Sequence, residues 1–167
     1  MRLIHLLSAV AFLMAPLAGV AAAQDSRAAI EFSAGALMFP DDGVVTEGMA
    51  GGSARFSLLP RIAVGPELVF IQGRNHSHTM LTGNLTFDFL APIAGRPARV
   101  TPFLVVGGGM FQTRDQTPRG GFTSYDGAFT AGGGVRAVAG DRLTVGGEAR
   151  IGWELHLRVN GFVGWRF

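Results

Sequence analysis

The stretch Leu81-Thr82-Gly83-Asn84-Leu85-Thr86-Phe87-Asp88-Phe89 changes chemistry at every step. Leu81, Gly83, Leu85, Phe87 and Phe89 fall on one side, and Thr82, Asn84, Thr86 and Asp88 on the other. A repeat of two is the signature of a β-strand, whose successive side chains point to opposite faces. The pattern extends in both directions. Upstream, Ile30, Phe32, Ala34, Ala36 and Met38 oppose Glu31, Ser33 and Gly35. Ala50, Gly52, Ala54, Phe56 and Leu58 then oppose Gly51, Ser53, Arg55 and Ser57, and Val64, Pro66, Leu68 and Phe70 oppose Gly65, Glu67 and Val69. Downstream, Tyr125, Phe129, Ala131, Val135 and Ala137 oppose Asp126, Thr130 and Arg136. Leu143, Val145, Ala149, Ile151 and Trp153 oppose Thr144, Glu148 and Arg150, and Leu157, Val159, Val163, Trp165 and Phe167 oppose Arg158, Asn160 and Arg166. A further strand from about Val100 to Thr113 is apolar on both faces, which leaves its orientation open. Beyond Gln24 no segment holds a helical period for three turns.

Turn chemistry separates these eight runs. Leu59–Arg61, Ala91–Arg99 and Ala139–Arg142 follow the second, fourth and sixth, and Pro40–Thr46, Arg74–Thr79, Arg114–Phe122 and Glu154–His156 follow the odd ones. Strands of about ten residues suit a tilted crossing of a bilayer, and an even number of them returns both termini to one side. Alternation alone does not separate a membrane barrel from a soluble one, since the two exchange inside for outside. The polar faces decide it. A soluble barrel needs many charges on its outer face, whereas each polar face here carries one or two among Gly, Ser, Thr and Asn. Such faces suit a crowded lumen in which Glu31, Glu67, Asp88 and Glu148 are placed to pair with Arg55, Arg136, Arg150, Arg158 and Arg166. The predicted fold is all-β: an eight-stranded antiparallel up-and-down transmembrane β-barrel over residues 24–167, after an N-terminal signal peptide over residues 1–23.

Composition narrows the alternatives. The chain has 167 residues, 48% apolar and only 16% charged, against roughly 25% charged in a typical soluble domain. High hydrophobicity with a net charge of +2 argues against disorder. The 25 glycines show no period of three, which excludes a collagen helix. Cysteine is absent, so no disulfide, thiolate metal site or cysteine nucleophile exists. The pI of 10.4 reflects the absence of lysine and the single tyrosine rather than a basic surface. Arginines and acids are interspersed with no basic stripe, so nucleic acid is not an expected partner.

The first residues read as a targeting signal. Met1-Arg2 precede an apolar run from Leu3 to Val20, and Ala21-Ala22-Ala23 form a small-residue cleavage site ahead of Gln24-Asp25. An uncleaved anchor helix is the alternative, because the run is almost long enough to span a bilayer. Pro16 and the alanine triplet favour cleavage and export.

The alternating last strand, Leu157 to Phe167, ends the chain on phenylalanine. With the leader and the eight strands, it resembles the small outer-membrane β-barrel superfamily, which includes the outer-membrane protein A-like transmembrane domains. The resemblance implies residence in the outer membrane of a Gram-negative-type bacterium. It also implies contact with outer-membrane lipid, and an assembly signal in Val163, Trp165 and Phe167 read by the outer-membrane assembly machinery. The chain carries no C-terminal peptidoglycan-binding domain of the full-length outer-membrane protein A type, so cell-wall anchoring is not implied.

Few residues suggest chemistry. The clusters Gly51-Gly52, Gly107-Gly108-Gly109, Gly132-Gly133-Gly134 and Gly146-Gly147 precede no helix and form no phosphate loop. They relieve crowding in a narrow barrel or leave a shallow groove for a lipid chain. His76 and His78, at i and i+2, point the same way on a strand and are placed to share a metal. No third ligand is evident, since Asp41, Asp42 and Glu47 belong to another hairpin, so a polar surface loop is the simpler expectation. A lipid A deacylase needs a serine activated by histidine, but His156 is followed by Leu157 and Arg158, and the adjacent His76 and Ser77 face opposite ways. Eight strands enclose a lumen that side chains fill, whereas porins use sixteen or more. The sequence therefore predicts no catalytic residues, no cofactor and a structural or interaction role. A lipid- or small-ligand-binding barrel is the alternative, with a lipid A-modifying enzyme or a narrow pore behind it.

Overall fold

A computed structural model describes residues 28–41, 43–73, 76–91, 98–117, 120–153 and 155–167. The expected signal peptide, Asp42, Arg74, Asn75 and Glu154 lie outside the described residues. The strands are β1 (Ala28–Asp41), β2 (Gly43–Leu59), β3 (Ile62–Gln72), β4 (His76–Asp88), β5 (Val100–Thr117), β6 (Gly120–Ala139), β7 (Leu143–Gly152) and β8 (His156–Arg166). Each pairs antiparallel with the next, and β8 returns to β1 to close the barrel. The closing seam sets Ile30 against Trp165, Phe32 against Val163 and Met38 against Leu157. Closure removes the sheet edges, and with them the unpaired backbone groups that a bilayer core does not tolerate.

Polarity is inverted relative to a water-soluble protein. Arg158 is 0% exposed, whereas Phe32 is 65% and Phe129 56% exposed. Glu31, Glu67, Arg136, Glu148 and Arg150 are buried in the lumen, while Ile30, Leu68, Leu85, Val145 and Val163 stand on the outside. Only an apolar solvent around the barrel makes that arrangement favourable, so the barrel is a transmembrane one. The orientation of β5 follows. Thr101, Phe103, Val105 and Phe111 point inward, and Leu104, Val106 and Met110 point outward. A narrow barrel also needs strands in close contact, and Gly109 shows why. A Cβ there would collide with the Leu81 carbonyl and lie 2.8 Å from the Cα of Thr82.

Several segments expected as loops are strand. Pro40, Asp41 and Gly43–Thr46 belong to the β1 and β2 strands, with Pro40 opposite Val44, and Arg114–Thr117 and Gly120–Phe122 to β5 and β6, with Arg114 opposite Thr123. His76–Thr79 opens β4 and His156 opens β8. These hairpins outrun their neighbours: β1 pairs with β8 only as far as Met38, and β6 with β7 only from Thr130. Pro40 thus lies on an edge, where its missing N–H removes no bond to β8. Residues beyond the apolar band meet water on both faces, so the alternation that reveals a strand fades there.

Candidate functional site

The inward positions of β4 give the layers of the lumen in order. Starting from the end at which β1 begins and β8 ends, they are Asp88, Thr86, Asn84, Thr82, Met80, His78 and His76. The first two layers of charge are closed rings. In the lower ring Arg55 lies 3.3 Å from Glu31 and 3.8 Å from Asp88, and Arg136 lies 3.3 Å from Glu31 and 3.1 Å from Asp88. The Arg136 guanidinium also stacks 4.5 Å from the centre of the Phe103 ring.

The upper ring is more deeply buried. Arg150 donates to Glu67 Oε2 at 3.0 Å, to Glu148 Oε2 at 2.9 Å and to Asn84 Oδ1 at 3.3 Å. Arg158 donates to the other oxygens of the same carboxylates, Glu67 Oε1 at 2.8 Å and Glu148 Oε1 at 2.7 Å. Acid and base alternate around each ring, so each is internally neutral and every carboxylate meets two guanidiniums. That balance is what lets charges leave water at tolerable cost. A cavity of about 30 Å³ lies between the rings.

The rings use eight of the nine residues expected to form a lumenal charge network. The ninth, Arg166, also takes an inward position, at the terminal end of β8. Val163, Trp165 and Phe167 face outward at 45%, 47% and 61% exposure, and the Phe167 N–H donates to the Ala28 carbonyl at 2.9 Å across the seam.

Above the rings the lumen is apolar. Leu37, Met49, Val69, Ile71, Met80 and Phe111 pack into one buried cluster, with Phe39 and Ala128 against it. Beyond this layer, towards the end where β1 runs into β2, His76 and His78 meet Glu47. The expectation that no third ligand stands near the histidines is therefore wrong. Glu47 continues the inward register of β2 through Arg55, Ser53, Gly51 and Met49. Extending the alternation through the segment expected as a loop reveals it. His76 Nε2 contacts Glu47 Oε1 directly, and His78 Nε2 lies 3.7 Å from Glu47 Oε2. His78 Nδ1 is bonded to Thr113 Oγ1 at 3.0 Å, and its ring stacks on Phe111 with centroids 5.0 Å apart.

No family model and no curated protein matches the sequence. Solved structures do match in fold. Neisserial surface protein A superposes with a TM-score of 0.73 at 9% identity, over 85% of this chain and 98% of that one. The N-terminal β-barrel domain of Pseudomonas aeruginosa OprF gives 0.67 at 11% identity, over 87% and 100%. Ail, the attachment invasion locus protein of Yersinia pestis, gives 0.61 at 9% identity, over 86% and 100%. Closed antiparallel topology, an inverted polarity and these superpositions agree: the chain has the fold of the small eight-stranded outer-membrane β-barrels.

Proposed function

We propose that the protein resides in the outer membrane as a non-catalytic barrel with a structural or interaction role, delivered by a cleaved signal peptide over residues 1–23. One observation carries this reading. Eight charged side chains of the lumen pair with one another in two neutral rings, while the outer surface is a band of Phe, Leu, Ile and Val. Side chains committed to mutual pairing brace the barrel from within. They leave outer-membrane lipid as the contact of the outer wall and the hairpin tips as the surface for partners. The outward row Val163, Trp165 and Phe167 is the segment that an assembly machinery would engage before β8 seals against β1. Fractionation, with electrophoresis before and after boiling, tests the reading. An intact barrel in the outer-membrane fraction should migrate anomalously until boiled. Recovery in the soluble periplasm with unchanged mobility would overturn it.

A second reading, a lipid-binding barrel, is favoured by a depression on the outer wall. Gly83 and Gly108 lack side chains where Leu85, Val106 and Phe129 stand around them, leaving an apolar hollow of about 480 Å³. Tight co-purification of one lipid, lost on Gly108→Leu, would support it, and random lipid composition would not.

A further inference from the structure

The acidic group of Glu47 is in an unusual position. Its side chain is 2% exposed, and the apolar layer of Leu37, Met49, Val69, Ile71, Met80 and Phe111 lies between it and the arginines below. A buried carboxylate requires a compensating positive charge. Glu47 faces two imidazoles, and its Oε2 accepts no hydrogen bond. We propose that Glu47, His76 and His78 form a binding site for a divalent transition-metal cation of the zinc type.

Three features support the assignment. First, ligand atoms from all three residues lie within 4.8 Å of one another, close enough for a single ion to bridge them. Two imidazoles and a carboxylate are a donor set for zinc-class ions, whereas Mg²⁺ and Ca²⁺ take oxygen ligands. Second, the bond from His78 Nδ1 to Thr113 directs Nε2 towards Glu47, and the ring is held by Phe111. Orientation of a ligating imidazole through its other nitrogen is the usual support for a metal ligand. Third, Gly73 closes over the cluster. A Cβ there would run into Glu47 Oε1 and lie within 2.8 Å of the His76 ring, so glycine leaves the carboxylate and imidazole in place without displacing either. The His76 side chain is 34% exposed, which gives the ion a path from the open end of the barrel. Three protein ligands leave a coordination position for water.

Calorimetric titration of ZnCl₂ into the detergent-solubilised, chelator-treated protein tests the site. One ion per chain should bind at micromolar concentration or below, unaffected by a large excess of Mg²⁺. His76→Ala and Glu47→Gln should each weaken binding at least tenfold while the boiling-dependent gel shift persists. His76 stands at the rim, so His76→Ala decides the matter alone if Glu47→Gln fails to fold. Absence of saturable binding in the native protein would leave the cluster as a histidine–carboxylate contact only and overturn the proposal. Undiminished binding by both variants would place the metal elsewhere and overturn it equally.

Discussion

Removing Arg150 should unbalance the upper ring, and the size of the effect follows from its contacts. Arg150 is 6% exposed and holds Glu67, Glu148 and Asn84 at 3.0, 2.9 and 3.3 Å. Arg150→Leu removes the charge and leaves two carboxylates sharing only Arg158, so the ring passes from neutral to a net charge of −1 inside the barrel. Breaking a buried ion pair on one side costs about 3–5 kcal/mol, because the abandoned charge stays desolvated. For a chain of this size that corresponds to a fall in melting temperature on the order of 10 °C. The assay is thermal unfolding in detergent micelles, followed by tryptophan fluorescence and by loss of the boiling-dependent gel shift. The outward neighbour provides the control, since Ile151→Leu exchanges one apolar side chain for another against lipid and should be nearly silent. A second substitution restores the balance. In Arg150→Leu/Glu148→Gln the remaining Glu67–Arg158 pair is neutral, so the double variant should regain about half of the lost stability or more. If Arg150→Leu melts with the native protein and the double variant is no different, water screens the lumenal charges and the ring contributes nothing to stability.

Other consequences are open to direct measurement. Val106→Arg places a charge on the outer wall and should cost about 2–4 kcal/mol if that position lies near the bilayer midplane; wild-type folding yield into lipid vesicles would argue that the wall is not lipid-facing. Gly109→Ala forces apart β4 and β5 at the Leu81 carbonyl and should cost about 1–3 kcal/mol by overpacking. Gly108→Ala, whose nearest neighbour would be the Ala128 carbonyl at 3.9 Å, should be tolerated, and urea denaturation of the two variants compares them. Deletion of Phe167 should sharply lower outer-membrane levels in cells if the terminal aromatic is an assembly signal. Trp153→Ala, an exposed aromatic remote from the terminus, should lose only the benefit of interfacial burial, about 1–3 kcal/mol. Equal and mild losses, read by immunoblot of membrane fractions, would rule out the targeting role.

Alternation along residues 81–89 and its counterparts was enough to identify the strands, their number, and the face on which the nine charged residues of the expected lumenal network lie. That face is a local property, because consecutive side chains on an extended chain must point opposite ways. The sparse charge of the polar faces also showed which side is inward, since a water-facing wall would need far more. The β5 face was not legible, because Phe103 and Val105 are as apolar as Leu104 and Val106. Only the packing of Phe103 under Arg136 and of Phe111 into the lumenal cluster distinguishes them. Nor could parity say which inward acid meets which inward base. Glu67 and Arg158 are 91 residues apart and touch only because the eight strands close with a particular stagger. Glu47 shows the same division most sharply. The sequence alone placed it on a different hairpin from His76 and His78, which is correct along the chain. What brings the three together is closure, because β2 and β4 tilt their inward faces into one narrow lumen across the strand between them. Period and composition determine the elements and their polarity, whereas contacts between distant inward positions depend on register and curvature, which no local pattern encodes.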